Sequence, residues 1–190
     1  MMQEIIEGKW IASFKRALSL NGVKSGTKLV VLAESQSRPV LIKLASLACY
    51  ELNAEYSTIV LPTPEQTAVV PVKSTGACNA IMQKRHVIEA LKHIEIIVDV
   101  TVEGLIHSEE WEEIEKSGTR LFTICNEHPE ILERTEPQAE LQSKVELGIQ
   151  MLNSATQMHV TSKAGTDLMI DLTGAPCGGT PGFSTNPGGV

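Results

Sequence analysis

Hydrophobic positions along the chain fall into two recurring patterns. Short apolar runs, KLVVLAE from Lys28, AEYSTIVL from Ala54, IEIIVDV from Ile94 and TRLFTIC from Thr119, show little of the apolar/polar alternation of a half-exposed strand. Each therefore predicts a strand covered on both faces. Between and around them, apolar residues recur at helical spacing over residues 2–20, 38–53, 79–92, 109–117 and 138–153. Repeated switching between the two periods predicts an α/β domain with a mainly parallel sheet and helices on both faces.

The punctuation agrees with these boundaries. Gly22, Asn53 and Gly118 follow predicted helix ends, where a left-handed residue closes the last turn. Pro39 sits near the start of the second helix, where its missing N–H costs nothing. Ser108 precedes the acidic stretch EEWEEIE and is placed to cap its exposed amides. In that stretch Trp111 and Ile114 are expected to face inward and the glutamates outward.

The pattern changes after residue 154. TQMHVTSKAGTDLMIDL reads as two β-rich runs joined at Lys163-Ala164-Gly165, a hairpin with Gly165 supplying the positive φ. TGAPCGGTPGFSTNPGGV follows, with nine glycines and prolines among eighteen residues and no periodicity. Such a segment is expected to be a functional loop or a connection to further structure. Residues 1–154 are accordingly expected to form one domain, and 155–190 a hairpin and a connection.

Composition narrows the function classes. The 23 acidic residues exceed the 16 basic ones, for a net charge of −7, and no cluster of Lys and Arg interleaved with aromatics occurs. Nucleic acid is excluded as an expected partner. The charged N-terminal stretch MMQEIIEGKWIASFKRAL is neither a signal peptide nor a membrane span, so a cytoplasmic protein without a membrane partner is expected. Cys49, Cys78, Cys125 and Cys177 are too dispersed for a CxxC or a Cys/His ligand pattern and are read as reduced thiols. No metal ligands are assigned within this chain.

The first βα junction, VVLAESQSRPV, lacks GxGxxG, and the chain has no Walker-type GK[ST], no GxSxG and no HExxH. In open α/β sheets ligands sit beyond the carboxyl ends of the strands, here the loops after residues 33, 61, 100 and 125. The third of these stands out: Asp99 ends a strand and His107 begins the next helix, on a loop held at both ends by rigid elements. The positive end of the helix dipole disfavours imidazolium there, so a neutral His107 available for proton transfer is one reading. A loop histidine that only helps to cap the helix is the other. His86 and His93 flank an amphipathic helix, His128 precedes Pro129 in a turn, and His159 lies in a strand; all read as structural or solvated. Asp167 and Asp171 share a strand face, which reads more simply as solvated than as a metal site.

Taken in order, IIVDV with GLIHSEEWEEIEKSGTRLFTI, then EHPEILERTEP, then MHVTSKAGTDL, resemble the N-terminal half of the 2,5-dihydroxypyridine 5,6-dioxygenase family. The wider superfamily includes leucyl aminopeptidases of the aminopeptidase T type, echoed in GTDL and PGG. The resemblance implies a Rossmann-like N-terminal domain followed by a C-terminal metal-binding domain that this chain lacks. It implies ring-opening oxygenation of a hydroxylated pyridine with iron(II), whose ligands match no residue here, so no metal is expected in this chain alone. His107 matches the family's histidine held to act as acid/base on the substrate, with Ile106 lining the pocket. A small aromatic substrate and a homo-oligomer are expected. Two alternatives remain: the N-terminal part of a metallo-aminopeptidase, or a binding or assembly module without catalysis.

Overall fold

The computed structural model describes residues 5–65 and 77–190. Helix α1 (Gly8–Leu20) leads into β1 (Lys28–Glu34), α2 (Pro39–Glu51) and β2 (Glu55–Leu61). A 3₁₀ turn (Asn79–Ile81) and α3 (Arg85–Leu91) precede β3 (Ile96–Asp99), α4 (Glu109–Glu115), β4 (Arg120–Thr123) and α5 (Pro129–Arg134). Residues 2–4 of the predicted first helix lie outside the described residues, and residues 5–7 precede its first turn.

The four strands form one parallel sheet in the order β2-β1-β3-β4. Successive residues of β1 serve opposite faces, as the two-residue period of a strand requires. Leu29, Val31 and Ala33 join Trp10, Phe14 and Leu18 of α1 and Leu41 and Leu44 of α2 in one core. Val30 and Leu32 join Ile81, Ile88, Leu91, Trp111 and Ile114 in the other. Burying each such Leu, Ile or Phe side chain contributes about 1.5–3 kcal/mol, so both helical layers are held chiefly by apolar burial. The predicted α/β sandwich is thus the observed one, with Trp111 and Ile114 inward.

Three local expectations are corrected. β2 was expected to be covered on both faces, yet it is the sheet's edge and only Leu61 is buried along it. The predicted helix over 79–92 is broken after Ile81, because Gln83 takes a left-handed φ of 60°. Buried Ala80 and Ile81 still stand seven residues before buried Val87 and Ile88, so the break preserves the spacing that mimicked one helix. His128 does not sit in a simple turn but starts α5, its Nδ1 accepting the Glu130 N–H at 3.3 Å, with Pro129 at the first helical position. Its ring meets Trp10 edge-on at 5.4 Å. The left-handed conformations expected at Gly22, Asn53 and Gly118 are all present.

The chain divides into two compact units, residues 1–137 with 182–190 and residues 138–181. In the first, the glycine-rich end runs beside β4: Leu121 donates to the Gly189 carbonyl at 2.9 Å, and Gly188 donates to that of Gly118 at 3.1 Å. In the second, α6 (Leu141–Ser154) is followed by β5 (Gln157–Thr161) and β6 (Asp167–Asp171), an antiparallel hairpin turning at Gly165 with φ 100°. Met158, Val160, Leu168 and Ile170 share one face of the hairpin by register. On the other face His159 Nε2 lies 2.6 Å from Asp167 Oδ1, so this pair is exposed and local. No helix among the described residues is long and apolar enough to cross a membrane.

Candidate functional site

The site is built on the loop leaving β3. Asp99 ends the strand wholly buried, and its carboxylate gathers the loop around itself. Oδ1 accepts the Thr101 N–H at 3.0 Å and the Thr101 hydroxyl at 2.7 Å; Oδ2 accepts the Leu105 N–H at 2.6 Å and the Thr123 hydroxyl at 3.4 Å. Burial pushes the Asp99 carboxyl above its ordinary pKa, while these donors pull the other way. Gly104 makes the tight return possible: its φ is 88°, and a Cβ there would stand 2.9 Å from Cys125 Sγ. Asp99, singled out in the sequence beside His107, is therefore an internal scaffold rather than a reacting group.

The loop then alternates anchors and exposed groups. Leu105 is fully buried in the sheet's second core, and Ser108 is buried on the far side. Between them Ile106 is 37% exposed and the His107 ring points outward, with no hydrogen bond or ion pair among the described residues. The ring is thus not a helix cap. Nor does Ser108 cap α4 as expected: its side chain makes no capping bond, and its Oγ instead accepts the Cys78 N–H at 2.8 Å. That bond joins the loop to the segment entering the 3₁₀ turn.

The two segments border a groove of about 290 Å³, with His107, Ser108 and Glu110 on one side and Cys78, Asn79 and Met82 on the other. Met82, half exposed, offers an apolar wall, and Glu110 Oε1 accepts the Gln83 N–H at 3.4 Å. Burial foremost, then the nearby Asp99 and Glu34 charges, pushes the Cys78 thiol up to about 12, so it is no nucleophile at neutral pH. Ile106 stands next to His107 but does not line the groove itself. The arrangement can hold a small, partly apolar molecule against an imidazole that has no other partner among the described residues.

The sequence drew attention to His107 and Asp99 but not to the opposite wall of the groove, because its spacing reads Asn79 and Met82 as part of a continuous helix. Glu34 drew none either, although a carboxylate ending an apolar strand is the signal that drew attention to Asp99. Among the described residues no three His, Cys, Asp or Glu side chains converge, so these residues do not fit the iron(II) centre that the family resemblance implies.

Comparison with known proteins identifies the family. Residues 9–190 match the family model for 2,5-dihydroxypyridine 5,6-dioxygenase. Over 177 residues the chain is 29% identical to the 2,5-dihydroxypyridine 5,6-dioxygenase of Pseudomonas putida, covering 92% of this chain and 50% of that protein. The solved structure of 2,5-dihydroxypyridine dioxygenase from Pseudomonas putida KT2440 superposes with a TM-score of 0.85 at 28% identity, covering 98% of this chain and 53% of that one. The chain spans about half the length of the relatives it matches.

Proposed function

The chain belongs to the 2,5-dihydroxypyridine 5,6-dioxygenase family, and from that premise we propose that it is the substrate-facing N-terminal part of a ring-opening dioxygenase. The homology supports a dioxygenase-like function. The proposed substrate is a small hydroxylated pyridine seated in the groove beside His107. The parallel-sheet unit, residues 1–137 with 182–190, would be its Rossmann-like domain, rather than residues 1–154 as the sequence suggests. Iron(II) would be held by side chains other than those described.

The observation that carries the reading is the unbonded His107 imidazole, presented at the groove between two buried anchors. A ring hydroxyl must lose its proton before the aromatic ring can be opened by oxygen, and an acceptor within hydrogen-bond reach lowers that barrier. Neither ring nitrogen of His107 has a partner among the described residues, so whichever lacks the proton can accept, and its backbone is fixed by the buried side chains of Leu105 and Ser108. Fixing the backbone that carries the base removes part of the entropic cost of bringing it to the substrate. Ile106, expected to line the pocket, does not line this groove, so no contact with the ring is assigned to it.

The test uses protein expressed from its complete reading frame, with loss of 2,5-dihydroxypyridine and oxygen uptake as readouts. His107→Ala should lower kcat by about 100-fold or more, since acid/base catalysis contributes roughly 10²–10⁴-fold. His107→Gln, polar but unable to take the proton, should be nearly as impaired, with melting temperature unchanged in both. Parental turnover by both variants would overturn the assignment.

A further inference from the structure

We infer that Glu34 is a positioning residue for His107. The inference rests on the proposed role of that histidine and starts from the sheet. β1 and β3 are parallel neighbours, while β2 lies on the opposite side of β1. Chain connections therefore diverge between β1 and β3, and the crevice beyond their carboxyl ends is where open α/β sheets commonly take a ligand.

Here the protein's own carboxylate spans that crevice. Glu34, the last residue of β1, is only 4% exposed, and its Oε1 accepts the Val102 N–H at 2.7 Å. The bond joins positions 68 residues apart. Around it, the Ser37 Oγ accepts the Glu34 N–H at 2.9 Å, and the Ser35 N–H donates to the Leu61 carbonyl at 2.8 Å, which ties the β1 loop to β2. The candidate groove opens elsewhere, against the 3₁₀ turn and the start of α4.

The consequence for His107 is mechanical. Asp99 holds the loop through Thr101 and Leu105, both close to its own strand. Glu34 grips the intervening Val102 from the neighbouring strand and stops the loop from pivoting about Asp99. A hydrogen bond accepted by a carboxylate is about twice as strong as a neutral one, which suits a single cross-strand tie. Both carboxylates are buried, and neither lines the groove surface that the substrate would touch. Glu34 itself is buried away from that surface, so its effect on turnover would pass through the loop.

The test uses the same complete protein with Glu34→Ala, Glu34→Asp, Glu34→Gln and His107→Ala. Removing the tie with Glu34→Ala should lower kcat about 10-fold with KM little changed, a fraction of the roughly 100-fold that an ångström of misplacement can cost. Hydrogen exchange at the Val102 amide should quicken in the same variant. Glu34→Asp, too short to reach, should reproduce most of both effects and carries the test if Glu34→Ala does not fold. Glu34→Gln keeps an oxygen for Val102 and should restore most of the rate and of the protection. Faster exchange with parental kcat, while His107→Ala is impaired, would make Glu34 merely structural and overturn the inference alone. Parental kcat in His107→Ala would remove the catalytic reading and, with it, the role given to Glu34. Glu34→Gln as impaired as Glu34→Ala would also overturn the inference, because the acceptor would not be what matters.

Discussion

Leu105 donates its backbone N–H to the Asp99 carboxylate at 2.6 Å, and both residues are completely buried. Six residues of chain are closed into a compact loop by one side chain, and the exposed His107 follows two positions later. Removing that acceptor strands the N–H groups of Thr101 and Leu105 away from water. Asp99→Ala should therefore lose about 3 kcal/mol or more of stability, since each buried unsatisfied donor costs about 1–3 kcal/mol. Urea unfolding measures this; a midpoint equal to the parent's would show that the loop finds other acceptors.

Gly104 is the tightest point of the same loop. Alanine there must hold φ near 88° and place its Cβ about 2.9 Å from Cys125 Sγ. The left-handed conformation alone costs about 1–2 kcal/mol, and the contact adds to it. Gly104→Ala should lower the melting temperature clearly, whereas Gly26→Ala, at a φ of 80° with nothing within 4 Å, should lower it less. Equal effects at the two positions would show that the Cys125 contact is relieved without cost.

The four cysteines should divide by burial. Cys49 and Cys78 are buried, and burial raises both thiols to about 12, so little thiolate exists near neutral pH. Iodoacetamide at pH 8 should leave these two unmodified in the folded protein and alkylate all four in denaturant. Mass-mapped labelling of Cys78 under native conditions would mean that the groove opens around it.

Glu113 is clamped on the surface by Arg85, at 2.6 Å and 2.9 Å, and by Lys92 at 2.9 Å. Hydrogen bonds from Arg85, then from Lys92, lower its pKa to about 2 from the usual 4.5. A lowered carboxylate pKa contributes stability that is present above the unfolded value and lost as pH falls through the folded one. The contribution should therefore fade between about pH 4.5 and about pH 2, and it should be small because the network is exposed and screened. An NMR titration should place the Glu113 midpoint well below those of unpaired glutamates, and Arg85→Ala should move it upward. A midpoint unmoved by that substitution would show that the pair does not persist in solution.

The sequence by itself determined the layers. Apolar runs such as KLVVLAE read as strands covered by helices, and β1 and β3 took that form because burial on both faces is written into consecutive residues, whereas β2 became an exposed edge. Left-handed ends at Gly22, Asn53 and Gly118 were legible for the same reason: their cause is local. The position of His107 between a strand and a helix was legible too, because it needs only the order of elements.

Tertiary structure alone decided the rest. The seven-residue step from Ile81 to Ile88 satisfies a continuous helix and a turn at Gln83 equally well, and the sheet's second core, which needs both pairs buried, admitted the turn. Ser108 had the right chemistry to cap α4, but the Cys78 amide, 30 positions earlier in the chain, claimed its oxygen. Glu34 met Val102, and Gly189 came to lie against Leu121, through contacts that no local period encodes. Hydrophobic periodicity reports which side of an element leaves water, whereas a hydrogen-bond partner is fixed only when the fold brings a distant donor within about 3 Å.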